Sequence, residues 1–435
     1  MRLDPRGRGA RVSAFVGALT LALLLNPVAP WIVAKASAQQ DPIPYQTVTT
    51  RARPDYDAIG GRLGGFIIFP SIDVAELYDD NIFRTEFIEV SDFITSIRPE
   101  VRVKSQWSNH ELNFDAGADA RRYADENDED TTDYFIRADG RIDVRRSTKL
   151  IGGARYQHLH EDRGDPNSSG AAKEPVEYDL VRANVDAGHK FNRLSVNVTG
   201  NLRDYQYENA VNRFTGAIIV EDDRNRQEYE VGLRVGYEIQ SEFEAFARGI
   251  LNYIDYDRLQ DGFDRESDGY EVVVGTDFDF GGLLFGEVFA GYSSRDYEDP
   301  RLLTNEGPII GGSVFWNVTE LTTVNPFISR TLEETTTASS SGYFATTVGV
   351  TVDHELLRNL LLNGEISYEN DSYEGSAVGV QERDEDYINF GLGATYLINR
   401  YSRASLRYDF ERLESNIVGN DYDNNIVRLN IRAQF

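Results

Sequence analysis

The chain has 435 residues, no cysteine, and 72 acids against 44 bases, for a formal net charge of -28. No disulfide or lipid-anchored cysteine is therefore possible, and the acidic balance argues against a nucleic-acid partner, which needs a basic footprint. Mean hydropathy is -0.45. No run of about 18 apolar residues follows the first 38 residues, which excludes a transmembrane helix. A transmembrane β-barrel fits the same profile, because only alternate residues of its strands meet lipid.

Residues 1–38 read as a secretory signal peptide. Arg2, Arg6, Arg8 and Arg11 make a basic start, Val12 to Leu25 is an apolar run, and Ala36-Ser37-Ala38 offers a cleavage site. The competing reading, an uncleaved anchor, is disfavoured by the shortness of the run and by Pro27 and Pro30 behind it. Removal takes away five bases and one acid, which leaves a net charge of -32. Residues 39–64, with Pro42, Pro44 and Pro54, read as a flexible periplasmic lead-in.

From residue 65 to 435 the chain alternates apolar and polar residues in stretches of about ten to sixteen, a strand signal. Tight connections ("SQWSN", "RRST", "FNR", "QSE", "FGG", "NVTE", "LLRN", "NRYS") alternate with longer acidic ones such as 124–133, 161–175, 220–226 and 371–386. Nine long and eight short connections predict an all-β, transmembrane, antiparallel up-and-down barrel of about 18 strands. Its turns would be periplasmic and its acidic loops extracellular. The alternative, a soluble sandwich or propeller, would use strands nearer five or six residues. Fourteen tyrosines near the long-loop ends (among them Tyr78, Tyr134, Tyr343 and Tyr422), and Trp107, Phe191, Phe243, Phe280, Trp316 and Tyr401 near the short turns, read as two aromatic girdles.

The polar face of each strand is expected to line the lumen, naming Asp115, Asp119, Arg137, Arg141, Asn197, Arg203, Arg428 and Arg432. A register centred on the 124–133 loop pairs Asp119 with Arg137 and Asp115 with Arg141 as an ion-pair ladder. A charged wall can select a polar solute, and it can also be the ordinary polarity of a wet wall stabilised by cross-strand pairs. The chain closes on "IVRLNIRAQF". Val427, Leu429, Ile431 and the terminal Phe435 share one face there, resembling the C-terminal signal read by the barrel-assembly machinery of Gram-negative bacteria.

No catalytic, cofactor or metal site emerges. His158 and His160 fall two residues apart near an acidic loop, a weak metal or base candidate. The acidic loops lack the spacing of a calcium loop, and no hydrolase signature is present, so the chain is read as a non-enzyme without cofactors. Lipid and lipopolysaccharide are its expected surroundings.

The stretch "GGFIIFPSIDVAELYDDNIF", with "RRY", "YEN" and "RDY" near the later loops, resembles the putative β-barrel porin 2 family of Gram-negative outer-membrane proteins. The resemblance spans roughly residues 62–435. It implies an outer-membrane location, a porin-like role and an association with extracellular-polysaccharide export and its components. The alternatives are an occluded structural or adhesive barrel, or an outer-membrane enzyme.

Overall fold

Strict alternation makes each stretch two-faced, and eighteen such stretches can bury neither face unless they close into a cylinder. The computed structural model describes residues 46–336, 340–374 and 382–435. The expected signal peptide at 1–38, and the lead-in as far as residue 45, lie outside the described residues. The barrel strands are β1 (Phe66–Asp79), β2 (Asp92–Ser105), β3 (Glu111–Tyr123), β4 (Thr131–Arg145), β5 (Thr148–His160), β6 (Glu177–Phe191), β7 (Leu194–Tyr207), β8 (Arg226–Gln240) and β9 (Phe243–Tyr256). They continue with β10 (Ser267–Phe280), β11 (Leu284–Tyr297), β12 (Asn305–Thr319), β13 (Thr322–Glu333), β14 (Gly342–Leu357), β15 (Leu360–Glu374), β16 (Asp384–Asn399), β17 (Ser402–Ser415) and β18 (Tyr422–Gln434). The wall is a closed antiparallel barrel of 18 strands, as the connection rhythm predicts.

Closure is made by β1 and β18, from Ser71↔Gln434 to Asp79↔Ile426. The Phe435 amide donates to the Pro70 carbonyl at 3.1 Å. Beyond that point β1 would show a bare edge. A short strand, Gly61–Leu63, folds back and pairs with Ile68 to Phe66, covering the edge where β18 ends. Main-chain groups in hydrocarbon have no water to bond, so each strand edge must be matched in this way.

Proline tests the rule at Pro99, where the β2–β3 ladder lapses between Ile97↔Ala120 and Glu100↔Gly117, and again on β13. Pro326 on β13 has no N–H, and the β12–β13 ladder lapses between Ser313↔Phe327 and Trp316↔Val324. The Asn325 side-chain amide fills the gap, donating to the Val314 carbonyl at 3.1 Å. The tight turns use their own chemistry: Asn192 has φ 58° in the two-residue turn 192–193, and Gly281 and Gly282 have φ 64° and 72° in the next but one.

The outer face is apolar and exposed, with Ile136, Val185, Leu251, Val274 and Leu392 in mid-strand. Val427, Leu429, Ile431 and Phe435 belong to it, and the Phe435 ring stacks on Tyr401 at 6.2 Å between centroids.

Two expectations change. The connection read at 220–226 is longer, 208–225, and carries a small hairpin of Ala210–Val211 and Ile218–Ile219 that turns at Gly216 (φ 69°). Its four-residue alternation is too short to cross the wall. The tyrosines also divide by strand parity. Tyr78, Tyr134 and Tyr270 share the outward face and are 39–44 % exposed. Tyr343, Tyr373, Tyr387 and Tyr422 share the inward parity and are buried. The long-loop girdle is therefore thinner than the sequence suggested.

The face assignment makes a direct forecast. Val274→Arg, on the outer face, will cost about 2–4 kcal/mol of folding stability in bilayers, whereas Thr199→Arg, on the inner face, will cost less than half that. Denaturant titration of each refolded variant measures the difference, and equal losses would contradict the assignment.

Candidate functional site: a charged lumen crossed by a loop

Inward parity places charged side chains along the whole interior. Asp115, Asp119, Arg137, Arg141, Asn197, Arg203, Arg428 and Arg432 all lie on strand faces opposite the apolar rows. The ion pairs among them differ from the expected ladder. The observed register sets Asp115 opposite Arg137, Asp119 opposite Asp133 and Glu111 opposite Arg141. The displacement arises at the loop. Asp130 accepts the Tyr123 amide on its side chain at 2.8 Å, which replaces a main-chain pair and lets β4 begin opposite Arg121. Asp119 is held by Arg98 (2.8 Å) and Arg121 (3.1 Å), Asp115 by Arg102 (3.2 Å), and Arg141 by Glu111 (3.3 Å) and Asp143 (3.2 Å). Arg432 reaches Asp73 (3.4 Å) and Glu100 (3.1 Å) across the closing seam.

The charge is not evenly spread. Arg137, Arg155, Arg182 and Arg203 are register neighbours on four adjacent strands, β4 to β7. Opposite them, β12, β14, β15 and β16 contain no Lys or Arg, and β13 contains only Arg330, on the outward parity. The same strands place Glu333, Asp353, Glu365, Glu369, Asp371 and Glu385 on the inward parity. One wall is rich in guanidinium groups and the facing wall in carboxylates, so the field runs across the lumen.

The sequence marks the connection at 161–175 as long but does not reveal its course. It leaves the wall between β5 and β6 and reaches the other side of the barrel. Pro166 accepts from Arg383 Nη1 (3.2 Å), between β15 and β16, and Asn167 bonds Glu334 (3.3 Å) and Thr336 (2.9 Å), between β13 and β14. A Cβ on Gly164 would meet Tyr422 Oη at 2.9 Å and Arg84 Cγ at 3.4 Å, so a larger residue here would have to displace the Tyr422 hydroxyl. The signals present were its length and its composition of Gly, Pro, Ser and Ala; neither specifies inward folding.

The loop is anchored by charge. Arg163 donates to both oxygens of Glu129 (2.8 and 2.6 Å), which also takes Arg213 (3.2 Å). Glu129 and Arg163 are 2 % and 6 % exposed at their side chains. The Phe83 ring lies under Arg213 at 4.4 Å and Arg163 at 5.9 Å. Four long-loop connections thus meet at one buried clasp. At the loop base Glu161 receives a two-pronged bond from Arg224, which Glu221 shares at 2.7 Å. Burial, with Asp165 and Glu221 close by, pushes the Glu161 carboxyl up to about 7 despite Arg224, because one guanidinium serves two buried carboxylates. Burial also raises Asp162, but Arg84, the Gly164 amide and Arg121 outweigh it and hold that carboxyl below its usual range.

The tyrosines on the inward parity pack beside this loop. Tyr343 and Tyr373 stack at 4.7 Å, Tyr178 and Tyr207 at 5.0 Å, and Arg224 lies 4.1 Å over Tyr207. At the short-turn end, residues 46–60 lie along the opening. The Val48 amide donates to Thr323 Oγ1 (3.0 Å), Arg51 and Arg53 both bind Glu355, and the Tyr56 carbonyl accepts from Gln434 (3.3 Å). His158 and His160 do not converge: His158 bonds Asp179 (2.9 Å) and stacks on Tyr134, while His160 bonds Asp133 (2.7 Å).

Several solved structures align with this chain at low identity. The outer membrane protein OpdK of Pseudomonas aeruginosa aligns at 10 % identity and TM-score 0.46, covering 85 % of this chain and 99 % of its own. OpdO of the same species aligns at 12 % and 0.44, covering 85 % and 97 %. OccAB3 of Acinetobacter baumannii aligns at 12 % and 0.46, covering 86 % and 100 %. A search of curated proteins returned no match. The family profile described as "putative beta-barrel porin 2" matches residues 53–435. With its closed barrel, polar interior and apolar outer band, the chain belongs to that family, a porin-like barrel of the Gram-negative outer membrane.

Proposed function

We propose that the protein is a passive channel for polar solutes whose long-loop mouth is narrowed by residues 161–176. The observation that carries this reading is the combination of a polar inner face through the barrel with one loop tied to both sides of it. A barrel of this strand number is too wide for wall side chains to fill, so the crossing loop, not the wall, sets the aperture. Removing Glu129 would leave Arg163 and Arg213 short of a buried counter-charge, a loss of about 3–5 kcal/mol for a pair of this kind.

A second reading, support for the export of an extracellular polysaccharide, draws on the inward tyrosines. Aromatic faces suit sugar rings, yet Tyr343, Tyr373, Tyr387 and Tyr422 are only 2–8 % exposed. On this reading the loop must move aside before a polymer meets them. Lipid and lipopolysaccharide outside, and the assembly machinery reading Phe435, complete the proposed surroundings; catalysis has no part in either reading.

In planar bilayers the purified protein will conduct, and replacing residues 164–172 with a short Gly-Ser linker will raise the single-channel conductance severalfold. No conductance from either folded form would instead support an occluded structural barrel. Deleting the gene will reduce secreted polysaccharide if the second reading holds; unchanged secretion would discard it.

Acidity will also matter at the loop base. The folded carboxyl of Glu161 titrates at about 7 against an ordinary 4.5. The folded loop therefore holds a proton more tightly than the released one. Its attachment is strongest below the ordinary value and weakens as pH rises through about 7. Protease cleavage within 164–172 will be faster at pH 8 than at pH 5, and Glu161→Gln will flatten that dependence. Equal cleavage of the native protein at both pH values would refute the assignment.

A further inference from the structure

The arginine row on β4 to β7 is only partly neutralised. Arg137 is paired with Asp139 (2.9 Å) and Arg203 with Glu228 (2.9 Å). Arg155 and Arg182, between them, make no ion pair among the described residues. Asp115, the nearest carboxylate along the row, is engaged by Arg102 at 3.2 Å. The Arg155 guanidinium lies 4.7 Å over the Phe135 ring, and its Nε has no hydrogen-bond partner among the described residues. Arg182 is exposed, on the face opposite the lipid-facing Val181 and Val185, so its exposure is to the lumen. Two residues along, Asn184 is also exposed on that face, opposite Asn201 of β7.

Register neighbours do not lie on a level ring. Strands stand about 4.8 Å apart and tilt by roughly 40°. Three steps from Arg137 to Arg203 therefore cover about 14 Å of wall and climb about 9 Å along the barrel axis. Like charges set side by side are costly unless something neutralises them. The fold places two unneutralised guanidiniums at the middle of this incline and leaves one open to water.

We propose that Arg155 and Arg182, with Arg137 and Arg203 flanking, form an inclined anion track, and that the channel prefers hydroxylated carboxylates such as uronic acids over neutral sugars. This rests on the channel reading above and assigns its solute class. A guanidinium takes a carboxylate through two parallel N–H donors. The hydroxyls of such a solute find an exposed side-chain amide at Asn184, two residues along from Arg182. The field across the lumen then orients the solute, acid group toward β5 and β6.

The test is glucuronate binding to the folded, detergent-solubilised full-length protein by calorimetry, with glucose as the neutral control and bilayer conductance measured on the same preparation. Glucuronate will bind and glucose will not. Arg155→Gln with Arg182→Gln will weaken glucuronate binding by roughly tenfold or more, and Arg182→Gln alone by about threefold. The single variant alters an exposed, unpaired side chain, so it preserves a readout should the double variant fail to fold. Conductance without glucuronate binding, or binding unchanged in Arg182→Gln, overturns the anion track and leaves the channel standing. Glucuronate binding that is lost in the variants, without conductance, overturns the channel and leaves the anion track.

Discussion

The structure depends on one constraint: inside hydrocarbon, no main-chain N–H or C=O can go unpaired. A sheet with two free edges fails that test, so β1 must meet β18, and the terminal Phe435 amide is drawn into the seam through Pro70. The same demand explains why Gly61–Leu63 doubles back beside β1. It also explains why the break at Pro326 is bridged by a side-chain amide from Asn325. These details are far apart in sequence and have a common cause.

Closure then sorts the side chains. With the outer face given to lipid, nearly every charge within the membrane must stand in the lumen, where water and opposite charges can satisfy it. A chain with so many more acids than bases cannot neutralise itself everywhere. Its bases are concentrated on β4 to β7 and near the closing seam, and β12 to β16 are left almost wholly acidic. The lumen is therefore polarised across its width as well as wet. The 161–176 loop bridges that gap, and its anchors are themselves ionic: Glu129 with Arg163 and Arg213, and Glu161 with Arg224. Buried clusters of this kind fix a geometry more reliably than they add stability. That suits a segment whose role is to hold an aperture.

Much of the barrel could be read directly from the chain, because period two and connection length are local properties. Which residues from Asp115 to Arg432 share the parity opposite the apolar rows follows from alternation alone. The register across 124–130 did not, since Asp130 substitutes for a main-chain acceptor and moves the pairing. By contrast, Arg182 and Arg203 stand equally far from a tight turn, so that part of the arginine row was open to arithmetic, whereas Arg137 meets Arg155 only through the register shift between Asp143 and Arg145. The tyrosines were misjudged because closeness to a loop is a weaker guide than parity. The crossing loop was illegible for a different reason. Its anchors on Arg383, Glu334 and Tyr422 are contacts across the barrel, and no local pattern encodes them.

The absence of cysteine from the chain permits the most direct measurement of the central claim, that alternate side chains face water inside and lipid outside. Single cysteines placed in turn from residue 181 to 186 on β6 would be challenged in intact vesicles with a small, charged, membrane-impermeant thiol reagent. The account predicts reaction at 182, 184 and 186 and protection at 181, 183 and 185. Uniform reaction, or protection of the even positions, would contradict it.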